Sequence, residues 1–153
     1  MTRLFIIALA GLTPSLSAAA CSGSHVDLRG DFGQVRFSTE IADTPDERSK
    51  GLMFREDLPR MGSMLFVYDA PTDPVFWMKN TPLPLDILFF SPEGELTAIQ
   101  ADAIPFDETG LPGGEDVQFV LEIHGGLAER LGIEEGAEIR HPQIGQGGVW
   151  PCE

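Results

Sequence analysis

The amino-acid sequence predicts a mainly-β domain, a compact β-sandwich or barrel with an α+β tendency and two short helices. Three observations carry that expectation. Short alternating or apolar runs recur along residues 32–140, Gly, Pro and acidic clusters separate them, and only two brief segments carry helix signals. From Phe32 to Ile41 the pattern alternates. Val35, Phe37, Thr39 and Ile41 share one face, and Gln34, Arg36, Ser38 and Glu40 share the other, the period of a half-buried strand. Thr44-Pro45-Asp46-Glu47 is a capping box with proline at the first helical position, so a helix starts there and ends near Gly51. Met64–Tyr68, Val75–Met78 and Leu85–Phe90 are near-continuous apolar runs, as in strands buried on both faces. Pro92-Glu93-Gly94 makes a turn that returns Glu95–Gln100 as a hairpin partner. Residues 101–116 show no periodicity and read as a long acidic loop. Val117–Ile123 and Ala137–Arg140 complete the strands. Gly126–Leu131 is the second helix, with Leu127 and Leu131 on one face and Gly132 as its stop.

The first twenty residues read as a signal peptide. Arg3 supplies a positive n-region, Leu4–Leu12 an apolar h-region, and Ala18-Ala19-Ala20 a small-residue cleavage site. That apolar stretch is far short of the roughly 20 residues a membrane-spanning helix needs. No later segment comes closer, because Pro82, Pro84 and Asp86 interrupt the best one. The expected organisation is a signal peptide at 1–20, an N-terminal segment at 21–31, one β-rich domain at 32–142 and a tail at 143–153. The expected location is periplasmic or secreted. The formal charge is −14, from 10 basic and 24 acidic residues. Removing the signal peptide takes away Arg3 and no acid, leaving 9 against 24, or −15. Such a surface repels nucleic acid and anionic lipid, which excludes nucleic-acid binding.

Two cysteines, Cys21 and Cys152, stand near the two ends of the exported chain. In an oxidising compartment an even pair without metal-type spacing points to a disulfide. Closing so long a loop contributes up to about 5 kcal/mol in the chain-entropy model. The alternative is a membrane-tethered lipoprotein with a lipid anchor at Cys21. Lipoprotein signals usually place Leu three residues before that cysteine, where this chain has Ala18.

The stretch FWMKNTPLPLDILFF, residues 76–90, concentrates the chemistry. Lys79, Asn80 and Asp86 interrupt an apolar run, and Pro82 and Pro84 force an extended crossing between two strands. If the crossing doubles back, Lys79 or Asn80 meets Asp86 at the rim of the core, as a polar clamp or as part of a site. GLMFREDLP (51–59), GSMLFVY (62–68), FWMKNTPLPLDILFF (76–90), EGELTAI (93–99) and VLEIHGGLAERLGIEEGAEI (120–139) occur in this order. Together these blocks resemble the bacterial and archaeal family called domain of unknown function 192, over about residues 32–140. The resemblance implies a small, mostly-β fold and no established activity or catalytic set. The family's recurring positions fall here on Gly51, Met53, Arg55, Met64, Trp77, Met78, Asn80, Thr81, Pro84, Asp86 and Glu122. Gly62-Ser63-Met64 departs from the direct Gly-Met pair that the family commonly has.

Asp86 and Glu122 lie inside apolar strands and are the candidate acid–base pair, since two close buried carboxyls would separate into acid and base roles. Arg55 or Lys79 could instead neutralise them in a structural network. The methionines Met53, Met61, Met64 and Met78 are weak candidates for Cu(I), against the commoner role of core filler. His25, His124 and His141 show no zinc-ligand spacing, and the acidic loop with Asp102, Asp107, Glu108, Glu115 and Asp116 does not match a calcium loop. There is no G-x-S-x-G motif, phosphate loop or nucleotide fingerprint, so no cofactor is expected. The leading expectation is an exported, non-enzymatic domain that binds a small polar ligand or an envelope protein. Its lining would come from Arg55, Trp77, Lys79, Asn80, Thr81, Asp86 and Glu122. A hydrolase or lyase using Asp86 and Glu122, and a structural accessory protein of the cell envelope, are the alternatives.

Overall fold

The computed structural model describes residues 21–152. The segment read as a signal peptide, residues 1–20, lies outside the described residues. Nine strands form the body: β1 (His25–Gly30), β2 (Gly33–Ala42), β3 (Gly62–Thr72), β4 (Val75–Phe76), β5 (Leu85–Phe90), β6 (Leu96–Ala103), β7 (Leu111–Pro112), β8 (Val117–His124) and β9 (Glu138–Arg140). Two helices, α1 (Pro45–Lys50) and α2 (Leu127–Leu131), and a 3₁₀ turn at Gly145–Gly147 complete it. Seven strands form one sheet in the order β6-β5-β8-β3-β2-β1-β9, and β4 pairs with β7 in a separate ribbon. The large sheet curls into a half-barrel. Its outer strands approach at one end, where the Leu96 amide donates to Ala137 and the Ile139 amide donates to Gly94. The mainly-β expectation holds, and so do both short helices.

The two helices show their sequence signals in atomic form. The Thr44 hydroxyl accepts from the Glu47 amide while the Glu47 carboxyl accepts from the Thr44 amide, and Pro45 opens the helix. α1 lies on the crossover that the parallel β2–β3 pairing demands. That crossover can lie close against the sheet because Gly51, at φ 49°, has no Cβ to meet the Phe66 ring. The end of α1 is thereby held over β3.

β3, β5 and β8 are the centre of the sheet and are apolar on both faces. Leu65, Leu88, Phe90, Phe119, Leu121 and Ile123 face the hollow of the half-barrel with Val26, Leu28 and Phe37. Met64, Phe66, Leu85, Ile87, Phe89 and Val120 face the opposite side with Leu52, Leu58 and Met78. The alternation read along β2 also holds, with Phe37 buried and Val35 and Ile41 packed against the first cluster.

Asp86 ties this centre to the end of the fold. It is fully buried, and its Oδ1 accepts from the Asp102 amide at 2.7 Å and the Gly126 amide at 2.8 Å. Its Oδ2 accepts from the Ala128 amide at 2.7 Å. The α2 N-cap, Gly126, has no side chain to offer, so a carboxyl from β5 caps the helix across 42 residues of chain. The Asp102 bond explains the irregular β5–β6 register between Leu85 and Ile87, where Asp102 takes φ 49° and turns its amide toward Asp86. Gly125 permits the close approach, since a Cβ there would lie 2.8 Å from the Asp102 carboxyl and 2.9 Å from Pro84.

Cys21 and Cys152 form a disulfide across 131 residues. Trp150 is held between the guanidinium groups of Arg29 and Arg140, at 4.5 and 4.3 Å, so the tail packs back on β1 and β9. The disulfide uses the Cys21 sulfur that the lipid-anchor alternative requires.

Three sequence expectations need correction. The stretch before Asp31 carries β1, an internal strand between β2 and β9, where no strand was expected. Val75–Met78 is not buried on both faces: only Val75–Phe76 is strand, and Val75 and Trp77 are exposed because the ribbon partner contributes just Leu111–Pro112. The 101–116 segment is not wholly loop, since β6 runs to Ala103 and β7 lies within it.

Asp86→Ala leaves three amides without their acceptor, that of Ala128 buried and those of Asp102 and Gly126 partly so, and is expected to cost on the order of 2–5 kcal/mol in urea unfolding. Asp86→Asn keeps one acceptor oxygen and should cost about 1–3 kcal/mol. Equal stability of all three proteins would contradict the capping role.

Candidate functional site

Strand parity decides where the polar side chains go. In the β5–β8 ladder Asp86 stands opposite Ile123 and Ile87 opposite Glu122, so the two carboxyls project from opposite faces of one sheet. The expected acid–base pair is therefore not assembled. Asp86 caps α2, and Glu122 stands on the other face beside Met64 of β3 and Ile87 of β5.

Glu122 lies at a cavity of about 290 Å³ lined by residues from four parts of the chain. The end of α1 and its following turn supply Arg48, Ser49, Lys50, Leu52 and Met53, and β3 supplies Phe66 and Tyr68. The β4 region adds Val75, Phe76 and Trp77, and the crossing adds Thr81. Phe76 packs edge-on against Phe66 and Phe89, with ring centres 5.1 and 5.7 Å apart, and forms a rigid wall.

Glu122 is only 5% exposed, and its Oε2 has no hydrogen-bond partner. Burial alone pushes its carboxyl up to about 8, so at neutral pH it is mostly a neutral acid with one O–H to donate. Tyr68 responds to the same surroundings: burial raises its phenol, Arg48 lowers it and Glu122 raises it, with a net upward shift. Arg48 does not neutralise Glu122. Its Nη1 donates to the Asp43 and Val67 carbonyls, its Nη2 lies 3.9 Å from Asp69, and its guanidinium lies 5.1 Å from the Tyr68 ring. A buried acid without a partner beside open space is chemically unusual, since buried polar groups are nearly always paired.

The predicted lining residues divide. Trp77, Thr81 and Glu122 share the cavity, as does Met53. Arg55 instead holds Glu40 in a two-pronged ion pair at 3.0 and 2.6 Å. The Lys79 ammonium sits 4.9 Å from the centre of the Trp77 ring, and Asn80, at φ 52°, gives its carbonyl to the Phe54 amide. Neither meets Asp86, because Asp86 turns into the sheet toward α2. Of the four candidate methionines, Met64 and Met78 pack in the core on the cavity face of the sheet and Met53 lines the cavity, while Met61 packs on the other face. Among the described residues no three His, Cys, Asp or Glu side chains are grouped to hold a metal ion.

Sequence reasoning missed Arg48, Lys50, Phe66, Tyr68 and Phe76 as cavity residues. Phe66 and Tyr68 share parity with Met64, which pairs with Glu122, but that pairing joins strands 58 positions apart, Met64 to Glu122. The local sequence carries no sign of it.

Fold and site together define a small mainly-β domain with one unpaired carboxyl under an aromatic-walled cavity. The chain belongs to the family domain of unknown function 192, described as an uncharacterised group, whose sequence profile matches residues 27–141. A protein of unknown function from Novosphingobium aromaticivorans DSM 12444 is similar at 39% identity and TM-score 0.75, over 85% of this chain and 99% of that one. A protein from Sinorhizobium meliloti 1021, described as a candidate transcription regulator, is similar at 32% identity and TM-score 0.74, over 80% and 96%. No curated protein sequence matches the chain. Among the described residues no helix is long and apolar enough to cross a membrane.

The Glu122 shift sets a pH dependence. The folded protein keeps this proton to about pH 8, whereas the unfolded chain releases it near 4.5, so the native state binds more protons between those values. The contribution of Glu122 to stability therefore falls as pH rises through that window and levels off above it. His141, which burial lowers and the Gly23 carbonyl partly raises, contributes in the opposite sense near its ordinary value of 6.5. Subtraction of Glu122→Gln from wild type cancels that term. The variant should gain on wild type between pH 5 and 8, by up to about 1.4 kcal/mol per pH unit, in urea unfolding. Asp27 acts in a separate range. Burial raises it, but hydrogen bonds and attraction from Arg36 and Arg140 outweigh this, and its stabilisation is lost only as pH falls below 3.8. A pH-independent difference between the two proteins would contradict the unpaired, desolvated Glu122.

Proposed function

We propose that this chain is an exported, non-enzymatic domain that binds a small polar molecule in the Glu122 cavity. The observation that carries the reading is the unpartnered Oε2 of a buried carboxyl beside an aromatic-walled space. A ligand hydroxyl, amide or carbonyl would supply the missing hydrogen bond, and Phe76 and Trp77 would cover its apolar face. Ser49 and Thr81 add hydroxyls to the lining. The n-region, h-region and small-residue site of residues 1–20 support export, and the Cys21–Cys152 disulfide is compatible with an oxidising compartment.

The acid–base alternative loses support, because Asp86 faces away and its oxygens are occupied by three amides. The regulator description of one relative finds no electrostatic counterpart here, since a formal charge of −14 opposes a phosphate backbone.

A thermal-shift screen of the mature protein against sugars, amino acids, amines, peptidoglycan fragments and metal ions tests the proposal. A ligand present at about 100 times its Kd should add about 2.7 kcal/mol of stability. Glu122→Ala should weaken that ligand by about tenfold or more, the loss of a hydrogen bond to a buried acid. Absence of any shift, or equal affinity in the variant, would reject the proposal.

A further inference from the structure

The cavity does not end at its walls. Trp77 lines it and is still 45% exposed, and two more aromatic side chains stand in solvent nearby, Phe54 at 71% and Phe106 at 63%. Both are anchored to the same crossing. The Phe54 amide donates to the Asn80 carbonyl at 2.7 Å, and the Phe106 amide donates to the Thr81 carbonyl at 3.2 Å. Phe54 directly follows the lining residue Met53, and Thr81 is itself a lining residue, so the backbone of both phenylalanines is tied to segments that line the cavity.

Their backbone is unusual. Phe54 and Phe106 each take φ 63°, a left-handed conformation that bulky residues rarely adopt and that glycine or asparagine takes more readily. Two strained positions hold large apolar rings out in water, so neither folding strain nor burial accounts for their identity. The Lys79 ammonium lies over the Trp77 ring, 4.9 Å from its centre. Val75, which lines the cavity, and Ile104, two residues before Phe106, are also exposed.

The charges around this face are of both signs and favour neither a strongly anionic nor a strongly cationic ligand. Lys50 and Lys79, the two lysines of the chain, stand with exposed Glu56, Asp57, Asp107 and Glu108 near the two phenylalanines. Those four acids lie within three residues of the rings and would have to be desolvated if the face entered a bilayer. The surface offers flat aromatic rings, the Ser49 and Thr81 hydroxyls, the Lys50 ammonium as a further donor and one neutral acid, while the Arg48 guanidinium is held by the Asp43 and Val67 carbonyls. That is the complement of a pyranose ring, with its apolar C–H face and its fringe of hydroxyl groups.

We propose that the ligand of the Glu122 cavity is a glycan longer than the cavity: one sugar unit reaches Glu122, and the following units stack across Trp77, Phe54 and Phe106. This rests on the binding reading given above and adds the ligand class and the direction in which the ligand leaves. A space of about 290 Å³ is at the small end for ligand sites, so an oligomer must continue outside it, where the aromatic rings lie.

The test uses the mature, disulfide-bonded protein on a glycan array, followed by calorimetric titration with β-1,4-linked oligomers of glucose and of N-acetylglucosamine. The comparison proteins are Phe54→Asn/Phe106→Asn, which suits left-handed backbone and should keep the melting temperature, and Glu122→Ala. The expected result is array binding, with affinity rising with oligomer length. The double variant should lose that increment, about tenfold in Kd for the two rings together. Glu122→Ala should weaken short and long oligomers by the same factor. Affinity independent of length, or an unchanged double variant, overturns the aromatic platform and leaves cavity binding standing. Glu122-dependent binding of a non-saccharide, with no glycan bound, overturns the glycan assignment alone. Binding to phosphatidylcholine vesicles without glycan binding overturns it in favour of a membrane surface. No binding by any probe overturns both readings.

Discussion

The fold depends on a ladder, β3–β8–β5, that is covered on both faces. Where neither face meets water, a position along these strands must be apolar or must find a reason to be polar. Two buried carboxyls break the apolar rule, and strand alternation sends them to opposite sides. Asp86 finds its reason within the protein, as the acceptor for three amides that would otherwise be orphaned. Glu122 finds none. The contrast between these two carboxyls, one saturated and one left open beside a cavity, is what separates scaffold from site.

The cost of leaving Glu122 unpaired falls on the same elements that shape the cavity. α1 is short and has no buried residue, and it stays in place through its capping box, the close approach at Gly51 and Arg48. The Arg48 guanidinium holds the Asp43 and Val67 carbonyls, linking the crossover to β3. These contacts fix the cavity wall without supplying a charge to neutralise Glu122. A carboxyl kept neutral by desolvation acts as a donor toward a neutral polar ligand, the behaviour expected of a binding site rather than of a structural ion pair.

Local signals were legible and long-range ones were not. The capping box at Thr44, the alternation along β2, the glycine stop after α2 and the Pro92-Glu93-Gly94 turn each depend on neighbours a few residues away, and each appears as read. β1 escaped notice because HVDLRG is short and carries three polar residues, two of which are engaged in ion pairs: Asp27 with Arg36 and Arg140, and Arg29 with Glu138. The run at Val75–Met78 looked like core because hydrophobicity alone does not distinguish a buried strand from an exposed aromatic rim. Trp77, Thr81 and Glu122 were identifiable as polar or aromatic interruptions of apolar segments. Their meeting with Tyr68 and Arg48 required the β3–β8 register, which joins distant parts of the chain.

The protonation state of Glu122 tests the account most directly. A carbon-13 NMR titration that follows the Glu122 side-chain carboxyl, assigned through Glu122→Gln, should show a midpoint near 8 in the free protein. A midpoint in the ordinary carboxylate range, near 4.5, would mean that water or a partner already satisfies the group, and the cavity would lose its claim to be the site.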